Sequence, residues 1–250
     1  MSYSVFFDFD GTLLPAGKKQ ISDRVLKALQ EAQARGHKIF LNTGRPFSFV
    51  DTDAVRGFCF DGILCGGGYV NVNGKVLLAE TMSPEETKSI LTHFYGRDTV
   101  VLIEGERAVW AAYGDETNSF PPLTDLDEIL KICNAEPITK LNVLAYLNKE
   151  DLDFIRQYGD PIQRDDVVCT EIMQKGHDKG YLITKTVALL GLDPKKVIAV
   201  GDSTNDLAML KAAPISVVMG QATEQVKQYA KYVTASVEED GAALLLENLP

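Results

Sequence analysis

Two carboxylates spaced two residues apart close the first apolar run of the chain, Val5-Phe6-Phe7-Asp8-Phe9-Asp10-Gly11-Thr12. On an extended strand alternate side chains share a face, so Asp8 and Asp10 are expected to project together where the strand ends, with Phe7 and Phe9 turned into apolar packing. Two carboxylates held this close repel, and both stay ionised at neutral pH only with a cation between them. A hard cation such as Mg²⁺ suits oxygen ligands and is held by one or two carboxylates together with a substrate phosphate. The plainer reading makes Asp8 and Asp10 solvated turn residues, because Asp and Gly are common at turns.

Three further segments carry groups of matching chemistry. The run Lys38-Ile39-Phe40 leads into Leu41-Asn42-Thr43-Gly44-Arg45. The run Val197-Ile198-Ala199-Val200 ends in Gly201-Asp202-Ser203-Thr204-Asn205-Asp206 before a helical pattern, and Lys175-Gly176-His177-Asp178-Lys179-Gly180 stands at another helix start. Phosphoryl transfer needs a nucleophile, a proton donor for the leaving oxygen, and charge stabilisation. Asp8 has the carboxylate for attack, and Asp10 lies one pleat further on, where it can act as general acid and then base. The hydroxyl and amide of Thr43 and the amide of Gly44 can cradle phosphate oxygens. A lysine is unfavourable at a helix N-terminus, so Lys179 reads as a group that neutralises both Asp8 and an incoming phosphate. Asp202 reads as a further Mg²⁺ ligand or as the N-cap of the helix that follows; Asn205 and Asp206 fall in that helix's first turn, where acidic residues are favoured in any case. Asn205 can orient the phosphate or complete the metal's shell. Arg45 either binds a substrate anion with its fork or forms a surface ion pair.

These four segments, in this order, resemble the four motifs of the haloacid dehalogenase-like phosphatase superfamily, and most closely its Cof-like branch, which hydrolyses small phosphorylated metabolites. The resemblance extends through nearly all 250 residues. It implies Asp8 as nucleophile, Asp10 as acid and base with its main-chain carbonyl on Mg²⁺, and a contact of Asp206 to the metal's water or its surroundings. The run Gly66-Gly67-Gly68 departs from the Asn-Gly pair often found in that branch. Two other classes share these residues: a phosphosugar mutase of the same fold, and a receiver-like phospho-aspartate signalling module. The few arginines of the central region (Arg97, Arg107, Arg156, Arg164) argue against the mutase, and the long insert with Asp10 at the acid position argues for an enzyme.

The elements that must position these groups alternate at both ends of the chain. A buried strand is expected over residues 4–9, a helix capped by Ser22, a strand over 38–42, and a hairpin turning at Asn73-Gly74. From Gly180 the alternation resumes: a helix over 180–190, strands over 197–200, 215–218 and 232–235, and helices over 205–213, 222–231 and 241–247. Between them the pattern changes to antiparallel: a helix opened by Ser83-Pro84, a hairpin at Gly105-Glu106, punctuation at Phe120-Pro121-Pro122, a helix over 125–133, a strand over 141–147, a helix over 150–158 and a strand over 167–173. The expected architecture is a Rossmann-like, doubly wound α/β core from residues 1–81 and 178–250, with an inserted α+β cap over 82–177. In such a sheet, ligands bind beyond the carboxyl ends of the strands, where Asp8, Asp10, Thr43 and Asp202 all fall.

Composition narrows the partners. The net charge is −10, from 25 basic and 35 acidic residues, which argues against nucleic acid or an anionic membrane surface as partner. A small phosphorylated metabolite must then be met by local positive charge. The four cysteines show no metal-binding spacing and read as reduced thiols, and the N-terminus has no signal-like segment, so a cytoplasmic protein is expected. His177 reads as a solvated hinge residue and Trp110 as packing on the cap sheet. No sequence feature sets an oligomeric state.

Overall fold

The computed structural model describes residues 2–50, 53–106, 108–113, 122–164 and 167–250. The chain begins with β1 (Ser4–Phe7), α1 (Asp23–Ala34), β2 (Lys38–Thr43), β3 (Gly62–Cys65), β4 (Tyr69–Val72) and β5 (Lys75–Ala79). The middle of the chain forms α2 (Pro84–Phe94), β6 (Val101–Gly105), β7 (Val109–Ala112), β8 (Pro122–Leu123), α3 (Leu126–Ala135), β9 (Ile138–Val143), α4 (Lys149–Ile155), β10 (Asp160–Gln163) and β11 (Thr170–Met173). The rest comprises α5 (Lys179–Leu190), β12 (Val197–Gly201), α6 (Leu207–Ala212), β13 (Ile215–Val218), α7 (Glu224–Lys227), β14 (Tyr232–Val233) and α8 (Gly241–Glu247).

Two sheets result. The first has the order β14-β13-β12-β1-β2-β3-β4-β5, parallel from β14 to β3 with an antiparallel edge. Strand β1 lies at its centre with β2 on one side and β12 on the other, in registers that pair Phe7 with Leu41 and with Val200. The carboxyl ends of three strands therefore open side by side at the point where the winding reverses. Alternation on β1 sends Val5 and Phe7 into a core with Leu29 of α1 and Leu246 of α8, and Phe6 into a second core with Leu182 of α5 and Leu210 of α6. The expected parallel α/β core is present. No helix among the described residues is long and apolar enough to cross a membrane.

The second sheet, β10-β11-β9-β6-β7-β8, is antiparallel except where β7 meets β8. Its outer face carries Val101, Ile103, Leu141, Val143 and Ile172, packed against Ile90 and Leu91 of α2 and Ile129 of α3. Local signals hold where chemistry enforces them. Ser83 forms a full capping box with Glu86 ahead of Pro84, and Asn73 and Gly74 both take the positive φ that a tight hairpin requires.

Several boundaries differ from expectation. Strand β1 stops at Phe7 rather than at residue 9, although Phe7 and Phe9 still enter the same core. Strand β9 covers 138–143 rather than 141–147, with the polar Thr139 and Lys140 buried within it. Strand β10 holds Pro161; it pairs only with β11, and at a sheet edge the missing N–H removes no ladder bond. Strand β11 begins at Thr170 rather than 167, and helices α4, at 149–155, and α7, at 224–227, are shorter than the apolar spacing suggests. A 3₁₀ turn over Thr204–Asp206 precedes α6. Arg107 and the punctuation at Phe120-Pro121 lie outside the described residues.

Helix α5 is seated tightly at the end that carries Lys179. A Cβ added at Gly180 would lie 2.5 Å from the main-chain oxygen of Ala208 in α6. Gly180→Ala is therefore expected to push the helices apart and to destabilise the fold by about 1–3 kcal/mol, the cost of overpacking. A chemical-denaturation midpoint equal to wild type would show that the contact is slack.

Candidate active site

Asp8 is the first residue beyond β1. Its amide donates to the Val200 carbonyl at 2.9 Å, which ties it to β12, and its carboxylate turns toward α5. There the Lys179 ammonium donates to Asp8 Oδ1 and to Asp206 Oδ1, both at 2.6 Å, and all three residues are buried. Two features fix the lysine. Asp178 caps α5 through the Tyr181 amide at 2.8 Å, and Asn42 Nδ2 on β2 donates to the Lys179 carbonyl at 3.0 Å. The unfavourable dipole position of Lys179 is offset by two carboxylates.

Asp206 has no exposed surface. Besides Lys179, it accepts from the amides of Asp202 at 2.8 Å and Ser203 at 3.1 Å through Oδ2. It thereby fixes the loop that presents Asp202. The Asp202 carboxylate stands over Gly11, whose φ is +81° and where a Cβ would lie 2.3 Å from Oδ2. Only glycine allows that approach. Thr12 Oγ1 donates to the other oxygen of Asp202 at 3.4 Å.

Oxygens of Asp8, Asp202 and Asp206 all lie within 4.8 Å of one another. Three carboxylates and one ammonium leave an excess of negative charge. Burial first, and then the Asp206 charge, raises the Asp8 pKa to about 8 against the pull of Lys179. The same two causes raise Asp202 to about 6. Lys179 loses hydration by burial, yet Asp206 and Asp8 outweigh that loss and raise its pKa, so it keeps its proton. An all-oxygen cluster short of positive charge fits a hard divalent cation such as Mg²⁺.

Asp10 lies elsewhere. Its carboxylate is more than half exposed and is gripped by Arg45 in a bidentate pair, Nε to Oδ2 at 2.8 Å and the second contact at 2.6 Å. The Arg45 guanidinium rests over the Phe9 ring at 4.6 Å. Phe7 and Phe9 enter the same core, as expected, and Asp8 and Asp10 both reach one cavity, but Arg45 rather than Lys179 holds Asp10. The carboxylate of Asp10 is not part of the oxygen cluster. Thr43 is buried, with its hydroxyl accepting from the Arg45 amide at 3.1 Å. Asn205 Oδ1 accepts from Ser203 Oγ at 2.7 Å.

Asp8, Asp10, Thr43, Gly44, Arg45 and Asn205 line one cavity of about 310 Å³. Its far wall belongs to the second sheet: Glu104, Lys140, Asn142, Arg164 and Glu171. None of these was singled out in the sequence as a site residue, and Arg164 was counted only among the few arginines of the central region. A larger cavity, about 670 Å³, adjoins the first along α5 and α6; the two share Thr43, Gly44, Lys140, Glu171 and Asn205, and the larger adds Lys179, Leu182 and Leu207 but neither Asp8 nor Asp10. His177, expected to be solvated, instead has Nε2 2.9 Å from Glu80 Oε2 and its ring tilted on Tyr181. It ties together the two crossings between the sheets. Trp110 packs against the apolar side of the second sheet, as expected.

Residues 5–246 match the family model of the haloacid dehalogenase-like hydrolases, and the chain belongs to that family. It is a phosphatase of the Cof-like branch. It is 29% identical to the 5-amino-6-(5-phospho-D-ribitylamino)uracil phosphatase YitU of Bacillus subtilis, over 98% of this chain and 96% of the relative. The fold is that of a solved HAD subclass IIB sugar phosphatase, with a TM-score of 0.83 and 24% identity over 98% of both chains. It also matches a solved haloacid dehalogenase-like hydrolase from B. subtilis, with a TM-score of 0.87 and 20% identity over 99% of this chain and 100% of that one. Phosphatases of this family generally use Mg²⁺.

The raised carboxylates make a prediction about metal and pH. The folded state holds the Asp8 and Asp202 protons more tightly than an unfolded chain with carboxyls near 3.8, so the metal-free fold loses stability as pH rises through about 6 and about 8. A cation that binds the deprotonated groups recovers that loss. Millimolar Mg²⁺ should therefore raise the thermal midpoint more at about pH 8 than at about pH 5. An increment that is constant or shrinks with pH contradicts this reading of the cluster.

Proposed function

We propose that this haloacid dehalogenase-like hydrolase is a Mg²⁺-dependent phosphomonoesterase that removes the phosphate from a small metabolite, a sugar phosphate or similar ester, through an aspartyl-phosphate on Asp8. The observation that carries the reading is the seat of Asp8: a buried carboxylate bonded to Lys179 at the edge of a covered cavity of a size that takes a small molecule.

Asp8 attacks phosphorus while Lys179 balances the charge that accumulates on the carboxylate and the phosphoryl oxygens. Thr43, Gly44 and Asn205, on the cavity wall, orient those oxygens. Asp10 protonates the leaving oxygen and then takes a proton from the water that attacks the aspartyl-phosphate. Arg45 positions Asp10 by gripping both its oxygens, and the grip must loosen on one of them when Asp10 carries a proton. Asp8 and Asp202, with the Asp10 main-chain carbonyl, would hold Mg²⁺, which supplies charge neutralisation for the transferred group. Asp206 contributes by fixing Asp202 and Lys179.

The second sheet, with residues 82–177 as a cap, covers the site and separates the first transfer from bulk water. Residues 1–81 and 178–250 form the core on this reading. A receiver-like module would have to present its phosphorylated aspartate at a surface, whereas Asp8 is buried beneath the second sheet. A mutase would need the cap to hold a second phosphate. Of the described cap arginines, Arg97 pairs with Asp151 and Arg156 with Asp153, and only Arg164 reaches the cavity. The substrate in the name of the relative YitU is a phosphorylated ribityl compound, a member of the same chemical class.

Asp8→Asn, an isosteric change, should abolish turnover of every substrate while leaving the far-ultraviolet circular dichroism spectrum intact, because an amide cannot form the acyl phosphate. Chelation should silence the wild-type enzyme reversibly. A folded Asp8→Asn protein that keeps more than a few per cent of activity would falsify the covalent route.

A further inference from the structure

The side of the second sheet that faces Asp8 is charged and nearly dry. Cross-strand register places Glu104 opposite Lys140 and Asn142 opposite Glu171, so the four side chains share one face of β6, β9 and β11. All four residues are at least nine-tenths buried. Apolar residues there would stabilise the sheet more, since buried ions and amides recover their hydration only through well-made partners. The phosphoryl-transfer step uses none of the four.

Their partners are incomplete. Asn142 Nδ2 donates to Glu104 Oε1, and Arg164 donates to Glu171 Oε1 at 2.9 Å. Lys140 Nζ donates to the Gly44 carbonyl at 2.7 Å, and so reaches across from the second sheet to the loop that follows β2. It stands 3.5 Å from Glu104 Oε2 and 3.7 Å from Glu171 Oε1. Glu104 Oε2 is buried and, among the described residues, accepts no hydrogen bond. Burial pushes the Glu104 carboxyl up to about 7 despite Lys140.

The wall therefore alternates acceptors (Glu104, Glu171) with donors (Lys140, Arg164) around an amide that is both. A hydroxyl group also donates and accepts, so adjacent hydroxyls on one small molecule can satisfy this wall. The two cations of the wall, Lys140 and Arg164, are already set against its two glutamates, so a carboxylate or second phosphate would bring negative charge that nothing on the wall balances, and an aromatic ring would leave buried polar groups unpaired. We propose that Glu104, Lys140, Asn142 and Glu171 are the specificity-determining residues of this phosphatase, and that they recognise an uncharged, polyhydroxylated leaving group. This inference rests on the phosphatase reading of the same cavity.

The test compares wild type with Glu104→Gln, which keeps size and replaces one acceptor by a donor. The substrates are ribose 5-phosphate, sorbitol 6-phosphate and 4-nitrophenyl phosphate, each with Mg²⁺. For wild type, kcat/KM on the better polyhydroxy ester should exceed that on the aryl ester. In Glu104→Gln that ratio should fall by about tenfold or more, mainly through KM, because one hydroxyl loses its acceptor. A purely structural role would lower both activities together, and an unchanged ratio overturns the inference alone. No hydrolysis of any ester overturns the phosphatase reading and the inference with it. A second arm needs only wild type: free ribitol should inhibit aryl-ester hydrolysis competitively, and far better than 1-pentanol of similar length. Equal inhibition by the two alcohols overturns the proposal.

Discussion

Lys179 Nζ lies 2.6 Å from both Asp8 and Asp206, with all three groups out of water. Two buried carboxylates without that ammonium would have to take up protons or unfold the loop that carries them. The rest of the site depends on meeting this electrostatic demand. The strand order places Asp8 between the ends of β2 and β12. Asn42 on β2 anchors the start of α5, the tight contact at Gly180 seats that helix on α6, and Asp206 passes the constraint on to Asp202 through two main-chain amides. The core sheet is a frame that holds one positive charge among three negative ones, a residual imbalance that suits a cation.

The second sheet has a comparable tension at its inner face. Lys140 is buried between two glutamates, and its one hydrogen bond across the divide goes to the Gly44 carbonyl in the loop that follows β2. Burial works against its ammonium, but Glu104 and Glu171 prevail and keep its pKa above the ordinary value. Glu171, also penalised by burial, is held below its ordinary value by Lys140 and Arg164. The two sheets thus meet through charge at the site, while His177 and Glu80 join the two crossings at its rim.

The core was legible in the sequence because its signals are local. Asp8, Thr43, Asp202 and Lys179 each follow or precede an element whose apolar period is plain, and parallel strands place their ends together by topology. The Ser83 capping box and the Asn73-Gly74 turn are short-range chemistry of the same kind. The inner face of the cap was not legible. Strand alternation in Val101–Gly105 and Ile138–Val143 shows polar residues on one side, and a polar side reads as a solvated one unless another sheet covers it. Polar residues on neighbouring strands, with both signs of charge and few turn formers, were the available signal. The partner of Asp10 was not legible either: its bidentate grip by Arg45 joins two loops whose approach no strand period sets.

On the proposed route, Asp8 takes the phosphoryl group itself. Rapid acid quench during turnover with Mg²⁺, followed by peptide mass spectrometry, tests it most directly. The account predicts that the N-terminal peptide containing Asp8 gains the mass of one phosphoryl group, that the label disappears when substrate is exhausted, and that Asp8→Asn never acquires it. Turnover at full rate with the label on a different residue would contradict it.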